Sequence, residues 1–322
     1  MILIDFLLLF LFLLLLSKSA DIAVENAEKL STLLNISTIT IGFLLIGVLT
    51  SLPELAVAIV SSFTNNGEVV VGNVFGANIA NILLIIGVSA FLYGIKIRKE
   101  NINEISITII ITTAVSLYIF FNLFTTNSLG FLEGITLLLL FLAYTIFFKK
   151  KKEHHKVEVR TKKEAVISFI FFLLGVVLLL VSSDLVLDYA VKIAHFFNLT
   201  TSLIGASIIS IGTALPELSV SLHAVKRKNY DMVIGTCIGS TIVNLCFVLG
   251  TALVINSITL SSYVFVPIII FALLANLLFL YLAFVKKELR RESGAFFFIL
   301  YILYLLSLFY FLFPTYLMFG VS

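Results

Sequence analysis

The feature that most limits the fold is the recurrence, along the whole chain, of apolar runs nearly free of charge. Val166–Val181 and Val264–Val285 are two of them, and they approach or exceed the ~20 residues that a helix needs to cross a hydrocarbon core. In lipid every backbone N–H and C=O must be paired within the protein, so only helices and closed barrels span it. A barrel would be written in short alternating segments, and the runs here are continuous. Charged residues make up 12% of the chain and the mean hydropathy is +1.17, against about 25% charged residues in soluble domains. An all-α membrane protein is therefore expected. The run Ile2–Leu16, followed by Ser17–Ala20, has the look of a secretion signal, but no basic segment precedes it. It is read as a first membrane helix that is retained. Cys237 and Cys246 offer neither a disulfide framework nor metal-ligand spacing, and are expected to be small buried apolar residues.

Apolar runs and polar breaks predict ten helices, near 2–33, 38–64, 69–93, 104–124, 129–148, 165–196, 201–225, 232–255, 260–285 and 294–313. The first and sixth carry charges in their second halves, which predicts tilted helices whose ends run along opposite interfaces. Basic residues then orient the set. Lys96, Arg98 and Lys99, the stretch Lys149–Lys163, Lys226–Lys228, and Lys286, Lys287, Arg290 and Arg291 hold 18 of the 21 Lys and Arg residues. The alternate loops Thr64–Gly67, Thr125–Gly130 and Ser257–Ser262 hold none. With ten spans all four basic loops fall on one side, and the positive-inside rule places that side in the cytoplasm. Both termini are then extracellular and the protein resides in the cell membrane. Residues 1–148 form a first five-helix unit, 149–163 a basic cytoplasmic linker solvated or lying on anionic headgroups, and 164–322 a second five-helix unit.

The two units resemble each other at a fixed offset of 163 residues, the separation of Glu54 and Glu217. Asp21 matches Asp184, Lys29 matches Lys192, Gly42 matches Gly205, and Leu52-Pro53-Glu54 matches Leu215-Pro216-Glu217. Further on, Gly72, Gly76, Asn81 and Gly87 match Gly235, Gly239, Asn244 and Gly250. An odd number of spans per unit makes the second copy enter the membrane from the opposite face, so the expected architecture is two inverted five-helix repeats. Such repeats are common in secondary transporters, with the substrate site at the midplane between them. Asn35-Ile36-Ser37 and Asn198-Leu199-Thr200 both match a glycosylation sequon. They fall on opposite sides, so helix N-caps explain both better.

Glu54 and Glu217 are the two carboxylates expected near mid-membrane. A charge there costs at least about 2.5–3.5 kcal/mol and usually marks an ion path. Lys18, on a neighbouring helix, is the nearest basic candidate for a pair. Thr50 and Ser51 share a helix face with Glu54, as Thr213 does with Glu217. Pro53 and Pro216 precede the acids, so backbone oxygens near Gly47–Leu49 and Ser210–Gly212 are freed. Gly72, Gly76, Gly235 and Gly239 permit close helix approach, and Asn78 with Asn81, and Ser240 with Asn244, share helix sides. The set is rich in oxygen and lacks imidazole and thiolate, which suits hard cations such as calcium and sodium.

At these residues the chain resembles the sodium/calcium exchanger branch of the calcium/cation antiporter superfamily. Leu49-Thr50-Ser51-Leu52-Pro53-Glu54 and Gly212-Thr213-Ala214-Leu215-Pro216-Glu217 match the family's GTSLPE signature, within repeats near 38–93 and 201–255. Gly72-Asn73-Val74-Phe75-Gly76-Ala77-Asn78 and Gly235-Thr236-Cys237-Ile238-Gly239-Ser240 are similar to its GNxxGSN signature. The resemblance implies calcium held by Glu54, Glu217, Thr50 and Thr213. It implies sodium sites that share the glutamates and add Gly47, Ser51, Ala77, Asn81, Ser210, Ala214, Ser240 and Asn244, with Gly47 and Ser210 giving main-chain oxygen. Ala77 and Ala214 stand where the family usually has serine, and Asn244 where many members have aspartate. By resemblance, helices 1 and 6 move against a core of the other eight.

The function expected is antiport of Ca2+ against Na+ by alternating access. The rival counter-ion is H+, which the two missing serines favour. A channel is disfavoured by a single site between repeats without ring symmetry. An enzyme is disfavoured because no phosphate loop, HExxH helix or Ser–His–Asp set is present. Expected partners are the ions and the lipid bilayer, with no cofactor, no nucleic acid and no obligatory protein partner.

Overall fold

The computed structural model describes residues 2–34, 37–122, 124–126, 128–148, 162–196, 210–259 and 262–319. The linker up to residue 161, Asn35, Asn198, Thr200 and the first half of the seventh expected helix lie outside the described residues. The helices are α1 (Ile2–Leu34), α2 (Thr38–Thr50), α3 (Leu52–Phe63), α4 (Gly67–Tyr93), α5 (Ile102–Asn122) and α6 (Phe131–Phe148). Then follow α7 (Lys162–Phe196), α8 (Ser210–Thr213), α9 (Leu215–Lys226), α10 (Tyr230–Ile255), α11 (Ser262–Tyr281) and α12 (Arg291–Phe319). Among the described residues, seven helices are long and apolar enough to cross a membrane, or eight if the bent pair α2–α3 counts as one. The remaining expected spans are α6, whose 18 residues reach only about 27 Å, and the seventh, of which only α8 and α9 are described.

The helices sort into core and periphery by what their faces meet. In the most apolar windows of α4 and α10, 83% and 78% of residues are buried, against 11% in α1. Large apolar side chains such as Leu3, Val60, Leu132 and Ile299 point outward, a surface that suits lipid and not water. Helices α1 and α7, of 33 and 35 residues, exceed the ~30 Å hydrocarbon thickness by a wide margin at 1.5 Å per residue. They pack side by side. Phe12 stacks on Tyr189 at 5.5 Å, while a Cβ on Gly175 would meet the Ala23 nitrogen at 2.8 Å, so the two run antiparallel.

Several local features of one half of the chain recur in the other. Ile95–Lys96 (β1) pairs antiparallel with Glu288–Leu289 (β4), and Ser128–Leu129 (β2) pairs antiparallel with Ile258–Thr259 (β3). Gly87 of α4 crosses Gly294 of α12, and Gly250 of α10 crosses Gly134 of α6. Helices α4 and α10 each carry a π-helical segment at matching places, Ala80–Ile86 and Val243–Val248. The turns after α3 and α9 place Asn65 at φ 59° and Lys228 at φ 60°. Within Asn35-Ile36-Ser37, Ser37 caps α2, its hydroxyl accepting from the Thr40 N–H at 3.3 Å.

Candidate functional site

The helix containing Glu54 breaks one residue ahead of Leu52-Pro53. Ser51 sits at φ −82°, ψ 6°, and α2 and α3 meet at a 40° bend. Ala214 takes nearly the same conformation, φ −87°, ψ 0°, between α8 and α9. Each proline occupies the first turn of the new segment, where a missing N–H costs nothing. The expected helix 38–64 is thus two helices, and the acids sit in the first turn of the second. That position favours a negative side chain.

Close packing of α2 on α10 brings the two halves together. A Cβ on Gly42 would meet Met232 O at 2.8 Å, one on Gly235 would meet Ile39 O at 2.4 Å, and one on Gly47 would meet Ser240 N at 3.1 Å. Backbone therefore touches backbone along this seam. Ser240 Oγ donates to Gly47 O at 3.2 Å, and Ser51 Oγ donates to the same carbonyl at 2.9 Å. Ser240 Oγ also lies 3.4 Å from Glu217 Oε1. Thr50 donates its hydroxyl to Ile46 O at 3.0 Å and acts electrostatically on the Glu217 carboxylate. Glu54 and Glu217 are both 1% exposed and close enough for each charge to act on the other. One oxygen of each, Oε2, has no hydrogen-bond partner, nor has either amide atom of Asn78 or Asn244. Among the described residues neither carboxylate pairs with a lysine or arginine. Lys18 is exposed and acts instead on Asp21.

Of the expected site residues, Thr50, Ser51, Glu54, Asn81, Glu217, Ser240 and Asn244 are all buried, as are Ala77 and Ala214. Gly47 is buried and Thr213 half-buried. Ser210 begins α8, and its side chain lies outside the described residues. His223, whose side chain is described, lies away from the acids: it bonds Ser219 O at 2.8 Å and approaches Ser17 Oγ at 3.3 Å, at the end of α9. Cys237 and Cys246 are buried free thiols. Two neighbours escaped the sequence reading. Asn73 donates to the Glu54 backbone oxygen at 3.4 Å, and Ser183 of α7 donates at 3.3 Å to Gly212 O, the carbonyl that Pro216 leaves free. The signal for Asn73 was its place in the Gly72–Asn78 segment; for Ser183 it was only a serine pair inside an apolar run.

Comparison with known proteins places this geometry. Residues 4–150 and 167–310 match the family described as sodium/calcium exchanger protein. The chain is similar to sodium/calcium exchanger MaX1 of Methanosarcina acetivorans, with 29% identity over 96% of this chain and all of that one. It is also similar to membrane protein MJ0091 of Methanocaldococcus jannaschii, with 29% identity over 92% of this chain and 95% of the relative. Among solved structures, the sodium-calcium exchanger NCX_Mj superposes with a TM-score of 0.84 at 27% identity, covering 96% of this chain and 100% of that one. Both halves, with their paired motifs, are included in these matches: the chain is a multi-pass all-α membrane protein and belongs to the sodium/calcium exchanger protein family.

Proposed function

We propose that this protein exchanges calcium for sodium by alternating access, with the ions competing for one site between Glu54 and Glu217. The observation that carries the reading is the buried carboxylate pair itself. One acid comes from each half, each keeps an oxygen without a hydrogen-bond partner, and no basic side chain among the described residues neutralises them. Buried like charges are costly unless a counter-charge sits with them, and a cation between the two acids supplies it. The surrounding donors are hydroxyl, amide and carbonyl oxygen, the ligand type of hard cations. Calcium is assigned to Glu54, Glu217, Thr50 and Thr213. Sodium is assigned to the glutamates with Gly47, Ser51, Ala77, Asn81, Ser210, Ala214, Ser240 and Asn244 at the flanking positions.

The same proposal takes the chain as ten spans in two inverted repeats, 1–148 and 164–322, with both termini extracellular and the linker 149–163 cytoplasmic. The reciprocal strand pairings, the matched glycine crossings and the antiparallel run of α1 and α7 support it. A second reading exchanges calcium for protons. Ala77 and Ala214 supply no hydroxyl and Asn244 no charge, so sodium finds fewer donors here than the motif usually gives.

Radiolabelled calcium uptake into proteoliposomes tests both. An outward sodium gradient at fixed pH is expected to drive uptake, and Glu54→Gln or Glu217→Gln to abolish it. Near-normal uptake in either variant would remove the shared site. Uptake that follows a pH gradient and ignores sodium would replace the first reading by the second.

A further inference from the structure

Many positions of the two halves match at the 163-residue offset, so a feature that, among the described residues, occurs in only one of them marks a difference between the halves. The turn after α9 carries such a feature. Arg227 reaches three carboxylates on one face of α1: Nη2 lies 2.6 Å from Asp21 Oδ1 and 3.8 Å from Glu25 Oε2, and Nη1 lies 3.6 Å from Glu28 Oε2. Asn229 Nδ2 adds a hydrogen bond to Glu28 Oε1 at 3.0 Å, and His223 adds its contact to Ser17. Residues 17, 21, 25 and 28 fall on successive turns of one helix face, so α1 is fastened to the end of α9 over several turns.

The matching turn after α3 has the same backbone. Asn66 N bonds Ser61 O at 2.8 Å as Asn229 N bonds Ala224 O at 2.9 Å, and Asn65 repeats the positive φ of Lys228. Helix α7 repeats the acids too, with Asp184 and Asp188 at the places of Asp21 and Glu25. The residue matching Arg227, however, is Thr64. Its hydroxyl turns back to Val60 O at 3.1 Å, and Asn66 Nδ2 donates to Thr64 Oγ1 at 3.1 Å. Thr64 carries no charge that could reach Asp184 or Asp188 in the way Arg227 reaches α1.

We propose that Arg227 is a one-sided ionic latch that holds the charged half of α1 against α9 and biases the protein toward the state closed on the Arg227 side. Because α1 and α7 lie packed along each other, releasing the latch frees both. The latch stands on this geometry; its consequence for transport rests on the alternating-access reading above. A bias of this kind lowers the apparent affinity for cation on the latched side by the fraction of molecules open there.

The test is hydrogen–deuterium exchange of the full chain in lipid nanodiscs. Arg227→Gln is expected to speed exchange of amides in residues 17–34 by about tenfold, while Lys228→Gln leaves them unchanged. Exchange in Arg227→Gln equal to the unaltered protein overturns the latch. Asp21→Asn with Glu25→Gln and Glu28→Gln removes the same contacts from the α1 side and must loosen the same segment, which keeps the test decisive if Arg227→Gln does not fold. In vesicles of defined orientation, Arg227→Gln is further expected to lower the half-saturating calcium concentration several-fold on the Arg227 side. If the unaltered protein moves no calcium, the transport reading fails while the exchange experiment still judges the latch.

Discussion

The seam between α2 and α10 is the most sensitive point at which to perturb the site without touching a proposed ligand. In Gly235→Ala the new Cβ would lie 2.4 Å from Ile39 O and 3.1 Å from Ile39 C and Cα. Ordinary C···O contacts begin near about 3.3 Å, so the helices must part by about 0.9 Å. All three obstructing atoms are backbone, and no rotamer change relieves them. Overpacking costs about 1–3 kcal/mol, and a backbone-on-backbone clash belongs at the upper end of that range. About one turn along α10, Ser240 Oγ donates to Gly47 O at 3.2 Å; separation by the same amount breaks that bond and loosens the junction of the halves beside Glu217. The expected result is a purified variant that folds, melts several degrees lower in detergent at about 2–4 °C per kcal/mol, and loses most calcium uptake. Gly130→Ala, whose Cβ would meet Glu133 Oε2 at an ordinary 3.5 Å, is the control. A Gly235→Ala protein with unaltered melting and transport would refute the close crossing and the dependence of the site on it.

Other perturbations test separate parts of the reasoning. Ala77→Ser restores a hydroxyl at the edge of the site and is expected to lower the half-saturating sodium concentration about tenfold or more, read from the sodium dependence of uptake; a hydrogen bond or ligand to a charged group is worth about 1.5–3 kcal/mol. Asn244→Asp adds a third carboxylate where both amide atoms are unpartnered and is expected to change the number of charges moved per calcium, measured as the reversal potential of exchange in vesicles. Calcium at 100 times its dissociation constant is expected to raise stability by about 2.7 kcal/mol, seen as a higher melting temperature that Glu54→Gln removes. Gly294→Ala, with a Cβ 2.3 Å from Phe91 N and 2.6 Å from Gly87 O, is expected to destabilise α12 against α4 by about 1–3 kcal/mol and to reduce the yield of folded protein.

The parts of this architecture that were legible in the sequence are those with a strong local cause. Apolar runs set the helices, and lipid forbids any other use of them. Pro53 and Pro216 set the breaks, though the sequence could not tell a kinked helix from the two separate helices found, because that depends on how Ser51 and Ala214 satisfy their own backbone. The pairing of Glu54 with Glu217 was legible only through the repeat, since 163 residues separate them and no local pattern joins them. Gly42 and Gly235 needed the structure: glycine permits close approach, but which backbone arrives is a tertiary fact. The π-helical segments at 80–86 and 243–248 had no readable signal in the residues. Arg227 was read as one of many positive-inside charges, and its three partners on α1 lie about two hundred residues away.

Coupling, on the proposed reading, follows from counting charge in a confined space. Two carboxylates balance one calcium or two sodium ions, and either load leaves the site close to neutral. Both loads together would leave it cationic, and neither load leaves two like charges buried among hydroxyls and amides. Crossing between the two faces is then easiest for the neutral, loaded forms, since an uncompensated charge must be carried through a low-dielectric centre. The site needs no moving gate near the acids for this selectivity; it needs only that the charge stay fixed while the peripheral helices shift. Both acids sit in first turns of helices that begin at a proline, and the glycine seam fixes α2 on α10. The charged half of α1, by contrast, is held to the core through partly exposed ion pairs, contacts typically worth about 0–1 kcal/mol each. A rigid site and a weakly fastened periphery are what exchange requires, so stiffening the periphery should slow transport without changing ion preference. A disulfide between cysteines placed at Asp21 and Arg227 is expected to stop uptake when oxidised and restore it when reduced, with calcium binding retained in both states. Uptake that continued in the oxidised protein would show that α1 need not leave α9, and the division into fixed site and moving helices would be wrong.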